Sequence, residues 1–98
     1  MVKRVDWSKT ALKKINEIIA YMKQNASDKA ARDFVDAVYK QLESLKKYPQ
    51  KGRPSPKAKT IREVRIDKHR KMYYRTKGST IHISTFFDTR QNPKKSPF

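Results

Sequence analysis

The chain has 98 residues, of which 25 are Lys or Arg and nine are Asp or Glu, giving a formal charge of +16 at neutral pH. That length allows one domain with one modest core, and the lack of cysteine excludes disulfides, thiolate metal sites and thiol catalysis. The N-terminus has no apolar leader-like run and no stretch approaches membrane-spanning length, so a cytoplasmic protein with an acidic or polyanionic partner is expected.

A charged fraction of 35% and a mean hydropathy of −0.99 point towards disorder. Clear periodicity over most of the length and only two glycines argue instead for a single folded domain over 1–98. Val5 and Trp7 suggest a short edge strand over 2–6, weakly signalled because Lys3 interrupts the alternation. A helical hairpin over 8–48 follows. Ser8 is placed to N-cap the first helix, whose narrow apolar stripe is Ala11, Ile15, Ile18, Ile19 and Met22. Ser27-Asp28 opens the second, with Ala31, Phe34, Val35, Val38, Leu42 and Leu45 as its stripe. That pattern stops at Tyr48-Pro49, because the residue before proline usually leaves the helical region.

Residues 49–59 form a polar, proline-rich loop without periodicity. A three-stranded antiparallel sheet is expected over 60–88. Its first strand, 60–67, places Arg62, Val64 and Ile66 on one face and Ile61, Glu63, Arg65 and Asp67 on the other. The second, 70–76, separates Met72 and Tyr74 from Lys71, Tyr73 and Arg75. The third, 80–88, separates Ile81, Ile83, Thr85 and Phe87 from His82, Ser84 and Phe86. The fold is therefore expected to be α+β, with the hairpin packed on one sheet face. Ile15, Ile19, Phe34, Val38, Leu42, Val64, Ile66, Tyr74, Ile83 and Phe87 are its expected core. A basic tail, 89–98, completes the chain.

Charge is unevenly placed. Residues 49–98 hold 14 of the basic residues against three acids, Glu63, Asp67 and Asp88. Arg65, Lys71, Tyr73, Arg75, His82 and Phe86 fall together on the sheet face opposite the hairpin. Cations there suit phosphates, and aromatic rings suit exposed bases of single-stranded RNA. The plain alternative is a solvated sheet face with cross-strand packing. Arg90, directly after the last strand, suits either a bidentate phosphate clamp or a carboxylate or carbonyl partner that pins the tail. His82, among cations, suits a neutral general base, whereas His69 sits at a turn. Two histidines without a carboxylate cluster make a poor metal site, and no metal or cofactor is expected. Glu63 and Asp88 are the other candidate bases, and no complete catalytic motif is present.

In element order and in four sequence marks the chain resembles the RelE/ParE family of bacterial type II toxins. The marks are Gly52-Arg53 after the proline that ends the second helix, Ile61-Arg62-Glu63-Val64-Arg65, Met72-Tyr73-Tyr74-Arg75, and Phe87-Asp88-Thr89-Arg90-Gln91-Asn92-Pro93. The resemblance implies a growth inhibitor neutralised by a cognate acidic antitoxin, with either DNA gyrase or the ribosome and its mRNA as target. In a RelE-like ribonuclease the RNA 2′-OH attacks its own phosphate. The resemblance then assigns Arg90 as the arginine after the last strand, Lys71 as the middle-strand cation, and Arg62 or Arg65 as the preceding basic pair; the base has no counterpart in the family's pattern, and His82 or Glu63 would have to substitute for it. Asp88 stands where many relatives place histidine, and no C-terminal tyrosine follows Arg90. The incomplete set and the two long helices favour a ParE-like gyrase inhibitor over the nuclease. A plain nucleic-acid-binding module, without toxicity, is the third reading.

Overall fold

A computed structural model describes residues 4–90 and 93–98, with no side-chain description of Pro93. The elements are β1 (Arg4–Trp7), α1 (Lys9–Asn25), α2 (Asp28–Lys47), β2 (Arg53–Pro54), β3 (Arg62–Arg65), β4 (Arg70–Lys77), β5 (Thr80–Asp88) and a short 3₁₀ turn, Pro93–Lys95. Residues 2 and 3 of the expected edge strand, and Gln91 and Asn92 of the tail, lie outside the described residues.

The hairpin forms where capping chemistry starts and stops it. The Ser8 hydroxyl oxygen accepts from the Ala11 amide at 2.9 Å, and the hydroxyl donates to the Ser84 carbonyl at 2.7 Å, which ties the start of α1 to the sheet. Ser27 repeats the cap on α2, accepting from the Ala30 amide. Asp28 lies in the first turn of α2 and Lys46 and Lys47 in its last, both favourable to the helix dipole.

Five strands form one sheet in the order β1-β5-β4-β3-β2, with β1 parallel to β5 and the other pairs antiparallel. The expected three strands are thus the middle of a wider sheet. The N-terminal strand joins one edge, and Arg53–Pro54, expected as part of the loop, joins the other. Proline is tolerated in β2 because an edge strand need not donate on its outer side.

The helices cover one sheet face. Ala11, Ile15, Phe34, Val38, Leu42 and Leu45 from the hairpin meet Val64, Met72, Tyr74, Ile81, Ile83 and Phe86 from the strands, with Ile19 and Ile66 partly buried at the margin. Tyr74 closes the far end of this core: its hydroxyl donates to the Pro49 carbonyl and accepts from the Gly52 amide, each at 2.9 Å. A Cβ on Gly52 would sit 2.5 Å from the Tyr74 Oη, so only glycine fits beneath that hydroxyl.

Three placements, those of Thr85, Phe86 and Phe87, differ from the expected alternation, for one reason. The β4–β5 pairing slips at Tyr73/Tyr74: Tyr73 faces Thr85, Tyr74 faces Ile83, and Ser84 is the extra residue of a bulge. Beyond it every side chain of β5 changes sides. Phe86, expected on the open basic face, is instead in the main core, its ring 5.9 Å from Trp7 and 6.3 Å from Phe34. Phe87, expected in the main core, is buried on the opposite face. There it forms a second apolar cluster with Ile61 and Tyr73, flanked by Ala58 and Phe98.

Candidate functional site

The face opposite the helices is built by alternate residues of β3, β4 and β5. Its centre is the Glu63 carboxylate, only 5% exposed. Burial pushes that carboxyl up, but hydrogen bonds and charge from Lys71 and Arg53 outweigh it and hold the group below its ordinary value. Lys71 Nζ lies 2.8 Å from Oε2, and Arg53 places Nη2 2.6 Å and Nε 3.2 Å from Oε1. The same ammonium stands over the Tyr73 ring at 5.3 Å. Burial lowers the Lys71 pKa and the bonds to Glu63 and Tyr73 raise it, the net being upward. Lys71 is therefore a charged, anchored cation.

Tyr73 is not a free stacking platform. It is fully buried, its hydroxyl is 2.8 Å from Ser96 Oγ, and the Phe98 ring meets it edge-on at 5.2 Å. Lys57 Nζ donates to the Ser96 carbonyl at 2.9 Å. The end of the chain thus covers one end of this face, so the expected row of aromatics interleaved with cations is absent. Arg65 and Arg75 remain exposed on it. Arg65 donates to the Lys68 carbonyl, and Arg75 pairs across the strands with His82. His82 Nδ1 is 3.8 Å from Asp6 Oδ2, too long for a hydrogen bond.

Arg62 belongs elsewhere. It shares the helix-side parity of Val64 and donates to the Gly52 carbonyl at 2.6 Å and to Gln50, which fastens the β2–β3 corner to the end of α2. Arg90 also leaves the expected face. Of its two expected roles it takes the carboxylate partner, gripping Asp88 with Nε–Oδ1 at 3.0 Å and Nη2–Oδ2 at 2.6 Å. This fork and the Arg90 amide pull the Asp88 carboxyl down to about 2 despite partial burial.

Asp88 and Arg90 belong to a trench of about 990 Å³ along β5, walled by Ile18 and Tyr21 on the α1 side and by Pro97 and Phe98 on the other. Trp7 and Phe86 also line it. Arg70 does too: it is buried, stacks on the Phe34 ring at 5.8 Å and lies 3.4 Å from Asp67. The sequence carries no periodic signal for this trench, because it depends on β1 ending before β5 does. Arg53 was hidden for a similar reason, in a segment that reads as loop.

A family model described as the ParE toxin of the type II toxin-antitoxin system, parDE, matches residues 5–93. A protein of Sinorhizobium fredii carrying a provisional toxin name, Y4kP, is 37% identical over 62 residues, 63% of this chain. The chain spans 62% of that relative's length. Among solved structures, a chain from the chromosomal ParDE system of P. aeruginosa superposes with a TM-score of 0.75 at 20% identity, over 90% of this chain and 96% of that one. A YoeB/ParE toxin from Agrobacterium tumefaciens gives 0.63 at 12% identity, over 88% and 98%.

Fold and site together define a small α+β domain in which Glu63, at the centre of the basic sheet face, is paired with Lys71 and Arg53. The chain belongs to the RelE/ParE family, as a ParE toxin of the type II toxin-antitoxin class.

Proposed function

We propose that this protein is a growth inhibitor that acts by binding DNA gyrase, not by cutting RNA, and that an acidic antitoxin neutralises it in the cytoplasm. The observation that carries the choice of target is the internal pairing of the cations a nuclease would need. Lys71 is held by Glu63 and Arg90 by Asp88, so neither offers a free charge to a developing phosphorane. Arg62 faces the helix side. Tyr73 and Phe87 are buried under the end of the chain. Such a surface presents a shaped, partly apolar relief suited to protein contact.

The RNA-cutting alternative draws on the overall +16 and on Arg65 and Arg75, which stay exposed. Induced expression in a bacterial host separates the two, with transcripts and plasmid supercoiling read from one culture. Growth arrest with intact transcripts and altered supercoiling is the expected result. Transcripts cut within translated codons would establish the nuclease instead, and no arrest at all would leave a plain binding module. The His82→Ala variant is expected to arrest growth like the parent; loss of arrest with that change would make His82 a working base.

A further inference from the structure

Among the described residues the large apolar side chains left exposed are Leu12, Tyr21, Tyr39 and Tyr48, all on the hairpin or at its end and none on the sheet. Tyr21 lines the trench beside β5. Leu12 and Tyr39, 48% and 57% exposed, lie on the other flank. There α1 and α2 enclose a groove of about 340 Å³, lined by Ile19, Ala31 and Val35 together with Lys23, Arg32 and Asp36. Leu12 stands two turns before Ile19, and Tyr39 one turn after Val35, so helical periodicity extends the apolar seam along both helices. Its charges are of both signs and unspent. Arg32 and Asp36 are one turn apart, yet neither they nor Lys23 make an ion pair among the described residues. Seven acids have a cation partner: Asp6, Glu17, Asp33, Glu43, Glu63, Asp67 and Asp88. That leaves Asp36 and Asp28, and Asp28 already sits in the first turn of α2, at the positive end of the helix dipole.

We propose that this groove is the interface of a two-fold dimer, in which a second copy of the chain packs hairpin to hairpin. Leu12, Ile19, Val35 and Tyr39 of both copies are then buried together, and Asp36 of each copy meets Arg32 of the other. The inference is independent of the choice of target above. A two-fold interface uses the same patch twice, so the patch must complement itself. The groove does so, with an apolar seam and opposite charges in balance. Antiparallel packing of the two α2 helices sets Arg32 against Asp36 both times. The sheet half cannot serve: residues 49–98 hold 14 basic residues against three acids, and all three acids are taken. An acidic partner is drawn to that half and not to the back of the hairpin, where Asp33 and Asp36 oppose it. The helices, 17 and 20 residues long, present roughly 500–600 Å² side by side, near the lower end of specific interfaces. A dimer of micromolar strength follows. Two copies at +16 repel at long range and salt screens that repulsion, so the dimer tightens as salt rises, the reverse of binding to an acidic partner. The open sheet faces lie on the far side of each hairpin, so a dimer presents its target with two of them.

The test is sedimentation equilibrium of the full chain from about 5 to about 500 μM, a range that brackets micromolar association. A reversible shift from the 11.6 kDa of one chain to twice that mass is expected. Its dissociation constant should fall by about threefold or more between about 0.05 and about 0.5 M salt. Asp36→Arg and Arg32→Asp should each weaken the dimer by about tenfold, because each sets like charges against one another at two places. Combining the two changes restores opposite charges and should return association to within about threefold of the parent, the signature of a direct contact. Tyr39→Ser removes apolar contact without altering charge and should also weaken the dimer by about tenfold. These side chains are exposed, so circular dichroism and the urea midpoint of every variant should match the parent. Tyr39→Ser keeps the test decisive should a charge variant fail to fold. A chain that stays monomeric at the highest concentration, a dimer that these changes leave intact, or charge defects that the combined variant does not repair would overturn the proposal.

Discussion

Two residues show how local chemistry sets the site. Gly52 lies under the Tyr74 hydroxyl with no room for a methyl group. The clash is with the end of a side chain that is itself fixed by two hydrogen bonds, so relief means breaking that lock. Gly52→Ala should destabilise the fold by about 1–3 kcal/mol, read from urea unfolding, as expected for overpacking. Asp88 has its folded pKa depressed to about 2 by the Arg90 fork. A depressed carboxyl adds stability that is present above its unfolded value, near 4, and is lost as pH falls towards the folded one. The parent should therefore lose more stability than Asp88→Asn between about pH 4 and 2, measured as the difference between their unfolding curves. The gain is modest because Arg90 is half exposed and solvent screens the pair.

β5 carries most of what the sequence could and could not convey. Its span, 80–88, is the one expected, because a run of apolar residues between a Gly turn and Asp88 is an unambiguous strand signal. Its side-chain faces are legible only as far as Ile83. A bulge needs no special residue, and Ser84 gives no sign of one, so strict alternation places Phe86 and Phe87 on the wrong faces. The candidate site inherits that error: Phe86 left it, and Tyr73, correctly placed opposite the helices, proved to be covered by the end of the chain. The hairpin, by contrast, was legible almost to the residue because helix caps and Pro49 are local signals. Phe86 packs between Trp7 and Phe34, while Phe87 lies in the smaller cluster. Phe86→Ala should cost about 3–5 kcal/mol and Phe87→Ala less, by denaturant unfolding. Unbroken alternation predicts the reverse order.

For the molecule as a whole, the net charge of +16 and its pairing act at different ranges. The carboxylates at the centre of the site are spoken for: Glu63 binds two cations and Asp88 one. What reaches solvent is the surplus of unpaired Lys and Arg, which draws an acidic partner in before any contact forms. The association rate with an acidic peptide should fall by about tenfold between low salt and 0.3 M, as the screening length contracts below 10 Å, while the dissociation rate changes little. No helix among the described residues is long and apolar enough to cross a membrane.

The parallel ladder between β1 and β5 also bears on when the fold can exist. Ser8 and Ser84, which fasten its end, are 76 residues apart. At a synthesis rate of about 5–20 residues per second, the ribosome needs roughly 4–15 s to make that interval. Throughout it the hairpin, which forms early from local contacts, has no complete sheet on which to lay its apolar stripe. The relief proposed to meet the target is assembled from strands made in the second half of the chain. A growing polypeptide therefore carries none of that surface, and it comes into being only as the last strand is released and slots between the first and the fourth.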